Sequence, residues 1–278
     1  LLSVSLVNLR KHKMKIRIYS ILLVSVLLSL SVSAQGLKDE HKGVYRAYDF
    51  DAPRVDEPAP KGYEVFCLSH YGRHGSRFLY NEAEYDTLNV VLNRESLTAT
   101  GEKVRDKFNE NYPIFKGRAA DLTELGQKQH RLLARRMMDD YPNLFRKGSE
   151  VYAFSSDRTR CMMSMYSFLD ELRLCRNGLD IHADYNSSYL KYLRAQHPEP
   201  FDMKAYLRDN FDPQSVFERL FTSPEKAMSS TDPWNFAQEL YYYASHLDGA
   251  GIKDDFWSNV LSDDEVKAIH RVENEKFS

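Results

Sequence analysis

Cysteine is scarce in this sequence, with only Cys67, Cys161 and Cys175 among 278 residues. An odd count leaves at least one thiol unpaired. Cys67 lies inside an apolar stretch, which favours a buried thiol over a disulfide. No spacing of cysteine and histidine resembles a zinc site, so the sequence predicts no bound metal.

The only long apolar run lies near the N-terminus. Met14 opens the stretch MKIRIYSILLVSVLLSLSVSAQG, in which Lys15 and Arg17 precede the apolar residues 18–30 and a small-residue cleavage site at 32–34. This order is typical of a secretory signal peptide, about Met14 to Ala34. The run is short and rich in serine for a membrane span, although an uncleaved anchor is the alternative interpretation. Residues 1–13 are interpreted as an upstream extension of the reading frame.

Excess positive charge is absent once that segment is set aside. Residues 1–34 contain five basic and no acidic side chains, so their removal leaves 33 basic against 40 acidic residues and a net charge of −7. A basic surface for nucleic acid is therefore not expected, and any anion must be bound locally. We expect a periplasmic or secreted protein that begins near Gln35 and has no stable membrane anchor after signal cleavage.

The rest of the chain has no internal repeat and no low-complexity linker, and its hydrophobic content of 42% is typical of a globular protein. The patterns predict strands and helices in alternation, which favours an α/β fold with a mainly parallel sheet flanked by helices. The predicted strands are residues 63–69, 150–155 and 179–183. The predicted helices are residues 81–94, 98–112, 122–141 and 158–175. The third of these helices has Thr123 as its cap and an apolar face of Leu125, Leu132, Leu133 and Met137.

The sequence pattern changes near residue 186, where prolines begin to separate short predicted helices. This pattern predicts an α-helical insertion over residues 186–278. The predicted organisation is an upstream extension and signal peptide at 1–34, the N-terminal part of an α/β core at 35–185, and the insertion at 186–278. The C-terminal part of the core is predicted to be missing from this chain.

The stretch RHGSR, residues 73–77, follows the first predicted strand and places two arginines and a histidine on one tight turn. Positive charges this close repel unless an anion lies between them. Phosphate suits several guanidinium groups, because arginine offers bidentate donors and keeps its charge. A second arginine-bearing segment, residues 158–160, follows the strand at 150–155, and ligands of parallel sheets bind beyond the carboxyl ends of the strands. The arginines predicted to form a phosphate pocket are Arg73, Arg77 and Arg160.

His74 has a chemical role that follows from such a pocket. A neutral imidazole is a competent nucleophile near pH 7, and attack on phosphorus would form a phosphohistidine. The neighbouring guanidinium groups disfavour the imidazolium form and would stabilise charge on the phosphoryl oxygens. The alternative is a structural or solvent-exposed histidine.

The segment SHYGRHGSR, followed downstream by SSDRTRC, resembles the histidine phosphatase superfamily in its acid phosphatase branch. It is most similar to the multiple inositol polyphosphate phosphatases, since Leu79 stands where acid phosphatases usually have proline. LTELG at 122–126 is similar to the helix-opening segment between the two arginine motifs of the family. The resemblance implies a histidine-type phosphoric monoester hydrolase that acts on small phosphate esters and needs no cofactor. It implies His74 as the nucleophile and Arg73, Arg77 and Arg160 as phosphate ligands, with Arg158 a weaker candidate.

One part of the family pattern has no clear counterpart. Members of this branch carry a late His-Asp or His-Ala-Glu segment that protonates the leaving group. HAD at 182–184 lies on a predicted strand, and HLD at 246–248 has a different spacing. We therefore expect the nucleophile half of an active site without its acid half.

Three functions remain open from the sequence. The first is an exported phosphatase that hydrolyses inositol polyphosphates such as phytate, and the second is a broad-specificity histidine acid phosphatase. The third is a truncated, catalytically impaired chain that binds phosphate. Phosphoglycerate mutase chemistry shares the turn, but a cytoplasmic mutase needs no signal peptide.

Overall fold

The computed structural model describes residue 37 and residues 39–51, 59–193 and 202–275 of the chain. The predicted signal peptide lies outside these residues. Within the described ranges, no helix combines the length and the apolar character that a membrane span requires.

Helices dominate the regular structure. The α-helices are α1 (Glu82–Arg94), α2 (Ala99–Phe115), α3 (Glu124–Asp140), α4 (Thr159–Cys175), α5 (Leu190–Leu193), α6 (Met203–Asn210), α7 (Gln214–Leu220), α8 (Pro224–Ser229), α9 (Pro233–His246) and α10 (Asp263–Glu275). Short 3₁₀ helices span Asp39–His41, Gly43–Tyr45, Ser187–Tyr189, Asp248–Ala250 and Asp255–Asn259. The described part of residues 186–278 is α-helical, as the sequence predicted.

Two strands form a small parallel sheet, β1 (Glu150–Ser155) and β2 (Asp180–Tyr185). Glu150 pairs with Asp180 and Ser155 with Tyr185, and α4 makes the crossover between the strands. A parallel pair joined by a helix confirms the predicted α/β class. One face of the sheet packs against a small apolar cluster of α3 and α4, whereas Tyr152 on the other face is exposed.

The strand predicted at residues 63–69 does not form, and this prediction was wrong. These residues are irregular and exposed, with Phe66 92% exposed. Cys67, expected to be buried, is an exposed free thiol. The physical reason is that a strand needs a neighbour for its backbone hydrogen bonds, and β1 pairs only with β2 among the described residues.

Two apolar clusters hold the helices together. The larger joins α1 and α2 to the helices of residues 203–272, and its fully buried side chains include Leu79, Phe108, Phe217 and Tyr243. The smaller lies between α3 and α4, around Ala134, Met138 and Leu169. Phe78 and Leu79, which follow the RHGSR turn directly, are inserted into the larger cluster and so fix one end of that turn.

Candidate active site

The RHGSR turn runs alongside the start of α3. Arg77 and Leu122 form an isolated antiparallel bridge, and the Phe78 amide donates to the Asp121 carbonyl at 3.0 Å. The Ser76 carbonyl accepts from the Thr123 amide at 2.9 Å and from the Thr123 hydroxyl at 3.0 Å. The turn is therefore held by backbone bonds on one side and by the buried Phe78 on the other.

Two glycines allow this close approach. A Cβ atom on Gly75 would lie 2.3 Å from the Gly126 carbonyl oxygen, and one on Gly126 would lie 2.2 Å from the Ser76 carbonyl oxygen. Neither position can hold a side chain, because the opposing atoms are backbone. The glycine of LTELG is thus required by the turn, and Thr123 caps α3 by accepting from the Gly126 amide at 3.0 Å, as predicted.

The first half of α3 presents polar side chains to the turn. Gln129 accepts from the Ser76 amide at 2.8 Å and donates to the Ser76 hydroxyl at 3.0 Å. His130 is buried and lies beside the backbone of Arg73. Burial lowers the pKa of His130 to about 4, so the ring is neutral at ordinary pH.

Neither residue was identified from the sequence, because the apolar pattern predicted a neighbouring face of α3 as the buried one. The buried positions are Gly126, Gln129, His130, Ala134 and Met138, whereas the predicted leucines and Met137 are half-buried. The spacing of a glycine, a glutamine and a histidine on one helical stripe was the available signal.

Helix α4 brings its first turn to the same place. The Gly75 amide donates to the Ser164 hydroxyl at 3.1 Å, and that hydroxyl donates to the Arg160 carbonyl at 2.8 Å. Ser164 therefore links the RHGSR turn to the turn of helix that carries Arg160. The two arginine motifs, 86 residues apart in the chain from His74 to Arg160, meet as the sequence predicted.

His74 is partly buried, and its protonation is set by its neighbours. Its Nδ1 lies 2.8 Å from the Gly75 carbonyl oxygen, which can only accept, so Nδ1 carries the proton and Nε2 holds the free lone pair. Burial, reinforced by the charges of Arg73, Arg160 and Arg77 and opposed by the Gly75 hydrogen bond, lowers the pKa of His74 to about 4. At neutral pH the ring is thus an uncharged base with Nε2 available.

The three predicted arginines cluster around this histidine. Desolvation lowers the pKa of Arg73, and the charges of Arg77 and Arg160 add to that effect. Arg73 donates to the Val44 carbonyl at 3.0 Å. The Nε groups of Arg77 and Arg160 are buried donors without a hydrogen-bond partner within the described part of the chain. Buried donors of this kind normally have partners, so two orphaned guanidinium nitrogens beside one neutral imidazole fit an anion-binding site.

Aromatic rings pack against these guanidinium groups. The Arg77 Cζ atom lies 5.2 Å from the ring centre of Tyr45 and 5.5 Å from that of Tyr80. The Arg160 Cζ atom lies 5.4 Å from the same Tyr80 ring. Neither tyrosine was identified from the sequence. Arg158, the weaker candidate, is exposed at the N-cap of α4.

The two candidate acid segments differ in position, and the second borders the RHGSR turn. The Gly249 carbonyl, next to Asp248, accepts from the Thr123 hydroxyl at 2.6 Å, and the charge of Arg77 contributes to the lowered pKa of His246. His182 and Asp184 are exposed on β2, where Asp184 accepts from the Tyr189 hydroxyl at 2.6 Å. His246 is fully buried in α9, and Asp248 forms an ion pair with Lys42. In the ranges that the structure describes, no hydrogen bond or ion pair joins either aspartate to His74 or to the arginine cluster.

One group of side chains has the composition of a metal site. Glu150, Asp180 and His182 lie close together on the outer face of the sheet, and all three are exposed. Exposed acidic groups of this kind are common on protein surfaces. The His182 ring also stacks on the Tyr152 ring, with 4.7 Å between the ring centres. We assign no function to this cluster.

Comparison with known proteins places this geometry in a family. The fold is similar to that of the phytase from D. castellii, with a TM-score of 0.50 and 11% identity over 72% of this chain. The chain spans about half of that phytase, 48% of its length. No curated protein sequence matches the chain. The family model of the histidine phosphatase superfamily (branch 2) matches residues 70–243, which is more than half of the chain and includes both arginine motifs. The chain therefore belongs to the histidine phosphatase superfamily, branch 2.

Proposed function

We propose that this protein is an exported phosphomonoesterase that hydrolyses inositol polyphosphates through a phosphohistidine at His74. The observation that carries the proposal is the position of the neutral His74 ring among Arg73, Arg77 and Arg160. A dianionic phosphoryl group placed there would give the orphaned Nε donors of Arg77 and Arg160 their partners.

The chemistry follows from the tautomer of His74. The Nε2 lone pair attacks phosphorus, the ester P–O bond breaks, and the leaving group departs as an alkoxide or phenolate that takes up a proton. Water then attacks the phosphohistidine, which releases inorganic phosphate and restores the neutral ring. The Gly75 carbonyl holds the Nδ1 proton throughout and stabilises the positive charge that develops on the ring. The arginines stabilise the charge on the phosphoryl oxygens.

The choice of inositol polyphosphate rests on two supports. The SHYGRHGSR segment resembles the multiple inositol polyphosphate phosphatases, and the similar fold belongs to a protein described as a phytase. Export rests on the signal-peptide pattern of residues 14–34. A broad-specificity acid phosphatase uses the same chemistry and is distinguished by its relative activity toward phytate and p-nitrophenyl phosphate.

The proposal is tested by measuring the inhibition constant for inorganic phosphate and the rate with p-nitrophenyl phosphate. Arg160→Ala is expected to weaken phosphate inhibition by a factor of about 10–100, because a charge-assisted contact contributes about 1.5–3 kcal/mol. Arg173→Ala is the matched control, since Arg173 lies on the same helix in an exposed pair with Asp170. The parallel variant Arg158→Ala shows whether the other arginine of the DRTR segment also binds phosphate.

Two outcomes would contradict the proposal. An unchanged phosphate inhibition constant in Arg160→Ala would place Arg160 outside the pocket. The absence of any phosphate inhibition in the parent chain would remove the proposed site altogether.

A further inference from the structure

Tyr80 occupies a distinctive position next to the arginine cluster. Its ring faces Arg77, which belongs to its own turn, and Arg160, which comes from α4, with Cζ-to-centre distances of 5.5 and 5.4 Å. One aromatic ring thus contacts a guanidinium group from each of the two arginine motifs. Half of the tyrosine remains exposed to solvent.

The backbone of Tyr80 is fixed independently of its ring. The Tyr80 amide donates to the Glu84 carboxylate at 3.0 Å in the first turn of α1. The preceding residue, Leu79, is fully buried in the larger apolar cluster, and its amide donates to the Tyr85 hydroxyl at 3.0 Å. The ring can therefore be replaced without disturbing the chain that carries it.

The arginine cluster concentrates positive charge beside the Tyr80 ring. Three guanidinium groups lie close enough that two of them lower the pKa of the third. Their positive charges repel one another, and the Arg77 Nη1 group is also held by donating to the Phe78 carbonyl at 2.7 Å. The face of an aromatic ring carries negative potential and attracts guanidinium groups. A ring in contact with both Arg77 and Arg160 offsets part of the repulsion between them.

We infer that Tyr80 is a positioning residue that preorganises Arg77 and Arg160 for the phosphoryl group. The inference rests on the proposed role of these two arginines as phosphate ligands. Tyr45 lies 5.2 Å from Arg77 and also acts on Arg73, and both of these arginines belong to the RHGSR motif. The Tyr80 ring couples the RHGSR turn to the first turn of α4 through charge.

The test compares three ring substitutions in the full chain. Tyr80→Phe keeps the aromatic face and should change the inhibition constant of inorganic phosphate less than twofold. Tyr80→Leu keeps a similar volume without the aromatic face and should weaken phosphate inhibition about 5- to 30-fold. Tyr152→Leu is the matched control, because Tyr152 is a similarly exposed tyrosine on the outer face of the sheet. The unfolding midpoint should be the same in Tyr80→Leu as in Tyr152→Leu.

A double-mutant cycle separates positioning from a general structural effect. The loss caused by Tyr80→Leu should shrink several-fold when Arg160 is already replaced by methionine, because one of the two guanidinium partners is then gone. Full additivity of the two substitutions, or equal losses in Tyr80→Phe and Tyr80→Leu, would overturn the inference. If Arg77→Ala and Arg160→Met leave phosphate inhibition unchanged, the proposed function fails. If they weaken it and Tyr80→Leu does not, only the role of Tyr80 fails.

Discussion

Replacing Gly126 by alanine tests the packing on which the candidate site depends. The new Cβ would lie 2.2 Å from the Ser76 carbonyl oxygen, whereas ordinary contacts begin near 3.4 Å. Helix α3 and the RHGSR turn must therefore separate by about 1 Å. That shift lengthens the bonds from the Thr123 amide to Ser76 and from the Ser76 amide to Gln129, now 2.9 and 2.8 Å, beyond useful range.

The magnitude follows from two contributions. Overpacking against backbone costs about 1–3 kcal/mol, and two weakened hydrogen bonds add about 1 kcal/mol each. We expect Gly126→Ala to lower the free energy of unfolding by about 3–5 kcal/mol. Because the turn carries His74, Arg73 and Arg77, we also expect phosphate inhibition to weaken at least tenfold in the fraction that remains folded.

The chain contains a matched control for this variant. Gly101 occupies the same place in α2 as Gly126 does in α3, three residues after a threonine cap that accepts from its amide. A Cβ on Gly101 would lie 2.0 Å from the Leu220 carbonyl oxygen. Gly101→Ala should therefore reduce stability by a similar amount and leave the phosphate inhibition constant of the folded protein unchanged.

The assay combines urea denaturation with phosphate inhibition, measured at denaturant concentrations where both variants are folded. Unchanged phosphate inhibition in Gly126→Ala would refute the claim that α3 positions the turn. Equal losses of phosphate affinity in both glycine variants would show that the effect is one of general stability.

Two further predictions concern the pH dependence of the unfolding free energy and the exposure of residues 63–69. Burial lowers the pKa of His246 to about 4. Between pH 6.5 and 4 the unfolded chain therefore binds a proton that the folded chain does not. The free energy of unfolding falls as the pH falls through this window, by about 3 kcal/mol for this one group. The variant His246→Gln can still accept from the Tyr85 hydroxyl. It should reduce the slope of the unfolding free energy against pH by roughly 1.4 kcal/mol per pH unit between pH 6.5 and 4. An unchanged slope would contradict the lowered pKa of His246. Phe66 is 92% exposed, so Phe66→Ser should reduce binding of an apolar dye and light scattering without lowering stability, whereas a loss above about 1 kcal/mol would show that residues 63–69 are buried.

Elements whose sequence signals lie within a few neighbouring residues were predicted correctly. The bounds of β1 agree with the predicted 150–155, and Thr123 caps α3 as expected. Alternating polarity and a capping side chain are both read within a few residues. The two arginine motifs also meet, but not for the predicted reason, because residues 63–69 form no strand and the RHGSR turn is held by its bonds to Thr123 and Ser164.

Features that depend on partners elsewhere in the chain were not predictable in the same way. Residues 63–69 have the composition of a buried strand, but composition does not supply the neighbouring strand that would pair with them. The buried polar face of α3 was not predicted, because Gln129 is buried by its bonds to the turn and His130 by its place beside the Arg73 backbone, and neither by its hydropathy. Tyr45 and Tyr80 matter only through the arginines that face them, and no local pattern marks that contact.

The most direct test of the account is to trap the proposed intermediate on His74. The protein is mixed with ³²P-labelled p-nitrophenyl phosphate, quenched, and analysed for label bound to the chain. The account predicts label that is stable in alkali and lost in acid, as expected of a phosphohistidine, and no label in His74→Ala or His74→Asn. The variant His130→Asn serves as a control for a second buried histidine, and its label should remain. Label that persists in the His74 variants would contradict the central claim.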